Sequence, residues 1–332
     1  MRRLAALLAL PLLAPLALFA APDDSHPVPL RPVHTFSIVA RDAKTGEMGV
    51  AVQSHAFAVG GGVTWAEAGV GAVATQSFID PAYGPLGLDL MRAGRSAPDT
   101  LKGLIAGDDG RDVRQVAMID AQGRVSAYTG PKCIPSAGDH VGVGYSVQAN
   151  LMDNDNIWPA MAKAYEASKG DLAARMLDAL DAAQAAGGDI RGMESAAILI
   201  VKGVSSGKPW ADKVFDLRVD DHPQPLAELR RLVTLQRANN FANDGDRFIE
   251  KKDSANAEKA YAAAEALAPD FAEMSFWHAV AIANSGRVDD SLPVFAKAYR
   301  GYPKFRELVP RLAKVGLLPA DENVIAKIVA AK

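Results

Sequence analysis

Cysteine is almost absent from this 332-residue chain, where Cys133 stands alone. A lone cysteine excludes an intramolecular disulfide and a cysteine-cluster metal site. No second thiol or activating partner is near it in sequence, so it reads as a small strand-end residue and not as a nucleophile. An excess of one charge is also missing. The formal net charge is -3, from 36 basic and 39 acidic residues, which gives no electrostatic reason to expect nucleic acid. Aromatic residues make up only 7% of the chain, and no stripe interleaves them with basic ones. There is no HExxH, no Walker loop and no strand-linked dinucleotide fingerprint. The six histidines, at positions 26, 34, 55, 140, 222 and 278, lack metal-ligand spacing. No metal and no cofactor are expected. GVSSG at 203–207 fits G-x-S-x-G, but Lys208, Pro209 and Trp210 follow it in place of a helix. The nucleophile-elbow context therefore fails, and the segment reads as a hairpin turn.

What is present begins with a leader. Arg2 and Arg3 precede an apolar run from Leu4 to Ala21 that contains Pro11 and Pro15. This is the charged and apolar order of a signal peptide, with cleavage expected after Ala20. An uncleaved anchor is the alternative, since the run approaches spanning length. Residues 21–34 are rich in proline and read as an extended spacer or propeptide. The expected location is periplasmic or secreted. Beyond the leader, 49% hydrophobic and 23% charged residues describe a globular protein.

Strands are predicted at 35–41, 49–55, 69–77, 115–120, 124–129, 145–149, 195–202 and 213–219. Gly60, Gly61 and Gly62 read as a flexible turn. Helical stripes fall at Leu86, Leu90 and Ala93, then at Leu101, Leu104 and Ile105. Further stripes are Trp158, Met161, Ala162 and Tyr165, then Leu172, Met176, Leu180 and Ala183. Strands, two helices, strands, two helices, strands is not the alternation of a parallel doubly wound sheet. It suits two antiparallel sheets stacked face to face with helix pairs outside. From about Pro223 the pattern is helical only. Tyr261 and Phe295, Ala264 and Ala298, Pro269 and Pro303, and Phe271 and Phe305 are each 34 positions apart, the period of a tetratricopeptide repeat. A helix at 226–237 and a terminal cap at 305–318 are expected to support the two units. The fold class is thus α+β, a four-layer αββα sandwich at 35–235 followed by a small all-α helical domain at 236–332.

Thr35 opens the first strand of the folded part. A threonine in that place suggests an N-terminal nucleophile, which attacks through its hydroxyl and uses its own α-amine as base. Strand propensity alone also accounts for a threonine there.

The segments TFSIVARD (35–42), GVAV (49–52) and AGVGAVATQ (68–76) resemble a bacterial and archaeal family, domain of unknown function 1028. DPAYGPLG (80–87), Gln115, DAQGR (120–124), TG (129–130), VQAN (147–150), QAAGGDIRG (184–192), SAA (195–197) and DLRVDDHP (216–223) extend the resemblance to about residue 235. It implies the N-terminal nucleophile (Ntn) hydrolase superfamily and an αββα sandwich. Some members carry an added C-terminal region assigned to peptidoglycan binding. Many begin Met-Thr-Phe-Ser, whereas Thr35 here is internal. A free Thr35 amine therefore needs a cut at the His34–Thr35 bond. Gln76 and Asn150 are candidate oxyanion donors, or they bond a neighbouring loop. His55 orients the amine, binds a substrate carboxylate or is a plain surface histidine. Asp189 and Arg191 form a structural ion pair or reach the cleft and bind substrate. The resulting expectation is an exported amidohydrolase acting on a small amide or peptide-like substrate. The alternative is a non-catalytic binding or scaffold protein whose helices recruit a protein or peptidoglycan partner. A homo-oligomer is compatible with both, and neither involves nucleic acid.

Overall fold

The computed structural model describes residues 34–332. The predicted leader and residues 21–33 of the predicted spacer lie outside the described residues. In chain order the elements are β1 (Thr35–Arg41), β2 (Met48–Ser54), α1 (Gly60–Val63), β3 (Thr64–Glu67), β4 (Gly71–Ser77), α2 (Tyr83–Arg92), α3 (Ala97–Gly107), β5 (Arg114–Asp120), β6 (Val125–Thr129), β7 (Gly138–Gly142), β8 (Tyr145–Ala149), α4 (Ile157–Ala167), α5 (Leu172–Ala185), β9 (Ser195–Val201) and β10 (Lys213–Val219). They form a mixed α+β unit with two antiparallel sheets. One sheet has the order β10-β9-β2-β1-β8-β7, the other β3-β4-β5-β6. β1 is central and paired on both sides, with Ile38 opposite Ala51 of β2 and Val147 of β8.

The two-residue period of a strand sorts its side chains between two faces. Phe36, Ile38 and Ala40 face α4 and α5, where they pack with Met161, Met176 and Leu180. Val39 faces the other sheet and meets Val50, Val52, Ala72, Ala74 and Ala117. On the far side of that second sheet, Val73, Val116 and Met118 pack against Tyr83, Leu88, Met91 and Leu101 of α2 and α3. Thr35 and Ser37 share the face of Val39, so β1 carries polar residues into the space between the sheets at its N-terminal end.

Four sequence expectations are corrected. The triple glycine at 60–62 is the helical turn α1, not a flexible loop; a Cβ on Gly60 would come 2.5 Å from Cβ of Ala197, so close packing requires the glycine. The buried face of α2 is Tyr83, Gly84, Gly87, Leu88 and Met91, while Leu86 and Leu90 are 49% and 37% exposed. Gly84 lies against the Trp65 ring, so α2 approaches through small residues that a hydrophobic stripe does not mark. Two strands stand where none is predicted, β3 and β7, which are short and only partly buried, β7 being bounded by glycines. Cys133 sits in the loop after β6, where its thiol donates to the Arg114 carbonyl. Burial pushes that thiol's pKa up, which leaves it a poor nucleophile.

The C-terminal region is all helical: α6 (Pro225–Glu250), α7 (Ser254–Leu267), α8 (Ala272–Asn284), α9 (Val288–Gly301), α10 (Phe305–Lys314) and α11 (Glu322–Val329). The expected domain boundary at 235/236 falls inside the unbroken α6. Leu226, Leu229 and Val233 of α6 complete the core under the large sheet, and Ala238 packs with Ala264 and Met274. One helix thus belongs to both parts. Gly245 lies against the ring of Tyr261, whereas Phe271, expected as a repeat position, is 40% exposed. Val309, Leu312, Leu318 and Ile328 close the end of the region over Phe295 and Tyr299. Among the described residues no helix is long and apolar enough to cross a membrane.

Candidate functional site

Every candidate residue comes to the N-terminal end of β1. Thr35 is its first residue and is fully buried; His34 before it is only 3% exposed. Thr35 pairs with Ser54, the last residue of β2, and Asn150 follows the end of β8 beside it. Three donors meet the Thr35 carbonyl oxygen: Asn150 N at 3.1 Å, Gln76 Nε2 at 3.2 Å and Asn150 Nδ2 at 3.4 Å. Gln76 and Asn150 therefore adjoin Thr35, but their amides hold its backbone. They do not face the carbonyl before it.

The His34 carbonyl oxygen has a different pair of donors, Ser54 Oγ and Arg191 Nη2, the latter at 3.1 Å. Arg191 is held in turn by Asp189, whose side chain is fully buried. Nε bonds Oδ1 at 3.0 Å and Nη2 bonds Oδ2 at 2.7 Å. A bidentate pair of this kind fixes a guanidinium in position as well as in charge. The loop reaches this place through Gly187 and Gly188, both at positive φ, a conformation that glycine adopts without strain. Asp189 Oδ2 also accepts from the backbone N of His55 at 3.3 Å, and the buried His55 Nδ1 has no partner among the described residues. Asp189 and Arg191 are thus an ion pair that also reaches the site. Among the described residues no group of three metal-ligating side chains is placed to hold an ion.

A model of a family of unknown function, DUF1028, matches residues 35–229. This chain belongs to the DUF1028 family. A protein of Silicibacter pomeroyi from the same family, known from a crystal structure, is 31% identical, with a TM-score of 0.54 over 60% of this chain and 84% of that one. No curated protein matches the chain. The DUF1028 match starts at Thr35 and stops within α6, so it includes all the site residues except His34 and leaves α7–α11 outside.

Behind Thr35 the DUF1028 part holds a buried amide network. Gln115 Oε1 accepts from Gln76 Nε2 at 2.7 Å and from Asn150 Nδ2 at 2.9 Å. Ser37 Oγ donates to Gln76 Oε1 at 2.6 Å and accepts from Gln148 Nε2 at 2.5 Å, and Ser146 donates to Gln148 Oε1. On the other side, Gln115 Nε2 donates to Thr129 Oγ1, which donates to Asp139. Ser37, Gln148, Ser146 and the bonding role of Gln115 and Ser54 were missed from the sequence. The available signal was polar residues at period two, at 35 and 37 in β1 and at 146, 148 and 150 at the end of the β8 segment. Desolvation is the main reason that the His34 imidazole has a lowered pKa; the hydrogen bond to Asn150 opposes it, Arg191 adds to it and Asp189 opposes it more weakly. Burial thus favours the neutral ring.

Proposed function

We propose that this protein is an exported hydrolase of small amides or peptide-like compounds with Thr35 as its N-terminal nucleophile. One observation carries the reading. The carbonyl oxygen one bond before Thr35 lies between two donors, Ser54 and Arg191, and donors so placed stabilise the oxyanion of an attacked carbonyl. Two sheets between two sets of helices fit the four-layer αββα sandwich of the Ntn hydrolases, and the family match begins at Thr35.

In the first reaction Thr35 Oγ attacks the His34 carbonyl carbon. Negative charge collects on the oxygen that faces Ser54 and Arg191. The carbon–nitrogen bond breaks, the departing nitrogen takes up the proton that the Thr35 hydroxyl gives up, and the acyl group becomes an ester on Oγ. Water then hydrolyses the ester, which leaves a carboxylate on His34 and a free hydroxyl and amine on Thr35. An α-amine has a pKa of about 7.7–8.0, so it can take the hydroxyl proton near neutral pH. An external amide places its carbonyl where that of His34 lay and repeats the sequence.

Intact mass and N-terminal sequencing of the exported protein test the reading. Wild type and Thr35→Ser should begin at residue 35, and Thr35→Ala should keep the preceding segment. An electrophilic amide or lactone probe should label Thr35 in the processed wild type and nothing in Thr35→Ala. Protein that begins at Ala21 and resists labelling removes the enzymatic reading. The rival reading, a non-catalytic scaffold with partner-binding tetratricopeptide-like helices, has one observation in its favour. A groove of about 400 Å³ is lined by Asp246, Tyr261, Trp277 and Asn284.

A further inference from the structure

The His34 side chain fills a closed recess beside Thr35, with Nδ1 3.0 Å from Oδ1 of the fully buried Asn150. The surrounding network fixes which atom of Asn150 faces the ring. Gln115 Nε2 donates to the carbonyl oxygens of Ala149 at 2.9 Å and Gly138 at 3.3 Å. These carbonyls cannot donate, so Gln115 must turn its nitrogen to them and its oxygen to Asn150. That oxygen accepts from Asn150 Nδ2 at 2.9 Å. Asn150 therefore offers an acceptor to the recess, and His34 meets it with an N–H. A buried acceptor left without a donor is costly, so the recess discriminates against groups that bring none.

We propose that this recess is the acyl-side pocket of the Thr35 site and selects acyl groups that carry a compact, uncharged N–H donor, with His34 as its built-in example. The assignment of an acyl-side role rests on Thr35 being the nucleophile. The substrate class is then an amide whose acyl portion ends in an imidazole-sized ring or a similar small donor. Ser54 and Arg191 hold the carbonyl, and Asn150 reads the group attached to it.

The test vacates the recess in the full chain. His34→Gly is combined with Thr35→Ala so that the chain stays uncleaved, and imidazole and oxazole are titrated at pH 8 by thermal shift and NMR. The two rings are alike in size, and only imidazole has an N–H. Small rings do enter buried cavities made by truncation. Imidazole should bind about tenfold more tightly than oxazole, the scale of one unpaired buried acceptor. Asn150→Leu in the same background should erase the preference, and Asn150→Asp, which keeps an acceptor, should retain it. If the glycine variant does not fold, His34→Ala provides the same vacancy. Equal binding of the two rings, or no binding of either to a folded variant, overturns the proposal. Binding here needs no cleavage, so failure of the Thr35 reading shows separately, in the mass of the exported wild type.

Discussion

Gln115 sets the direction of the Gln76 and Asn150 amides beside the candidate nucleophile. Its nitrogen serves Thr129, Gly138 and Ala149, and its oxygen serves Gln76 and Asn150. Gln115→Leu keeps most of the volume and removes all five bonds. Gln76 and Asn150 retain the Thr35 carbonyl as a partner, so the full penalty falls on one or two groups. At about 1–3 kcal/mol for each buried unsatisfied group, the expected loss is about 1–6 kcal/mol, measured by urea unfolding. Thr129→Val removes two of the bonds in the same chain, those to Gln115 and Asp139, and should lose less. A loss below that of Thr129→Val would show that the network is not organised by Gln115. Thr35, Gln76 and Asn150 were legible in the sequence as strand-end polar residues in a family pattern. Their bonding was not, because an amide side chain takes its role from partners 35–116 residues away. Ser54 was visible only as a strand end, and its bond to His34 depends on the register of β1 against β2.

α6 is where element boundaries and domain boundaries part. Its first half buries Leu226, Leu229 and Val233 under the large sheet, and Arg230 bonds Asp178 of α5 at 2.9 Å. A buried leucine or valine contributes about 1.5–3 kcal/mol. Three of them amount to about 5–9 kcal/mol, comparable with the ~5–15 kcal/mol net stability of a domain. A chain that ends at Asn240 should therefore fold, with a sharp thermal transition, while one that ends at Asp221 should be molten or insoluble. Folding of the shorter chain would show that α6 is dispensable. The helix at 226–237 was legible from its pattern, but its run to Glu250 was not. The second half faces other helices, whose positions sequence periodicity does not give. The α2 error has the same cause in reverse, since Gly84 and Gly87 face the sheet while Leu86 and Leu90 face water.

The whole molecule constrains how a cut before Thr35 can occur. Proteases act on exposed, extendable segments. The His34–Thr35 bond is not one, as both residues are buried and β1 is paired along its length with β2 and from Phe36 with β8. Pulling this bond into a protease cleft would require β1 to leave the centre of the six-stranded sheet. On the proposed function a cut in the folded protein comes from within, with Thr35 as the attacking group and Ser54 and Arg191 at the carbonyl. The reaction is then first order. Purified full-length chain should lose the segment before Thr35 at a rate unchanged over a hundredfold dilution and unaffected by broad protease inhibitors. Urea above the unfolding midpoint should stop it, because the donors meet the carbonyl only in the folded sheet. Arg191→Met should slow it by about 10²–10³, the typical effect of losing one oxyanion donor. The rate is read by intact mass against time. A rate that rises with protein concentration, or cleavage that occurs only when cell extract is added, would mean that another molecule makes the cut. The buried carbonyl would then serve the sheet and not the chemistry.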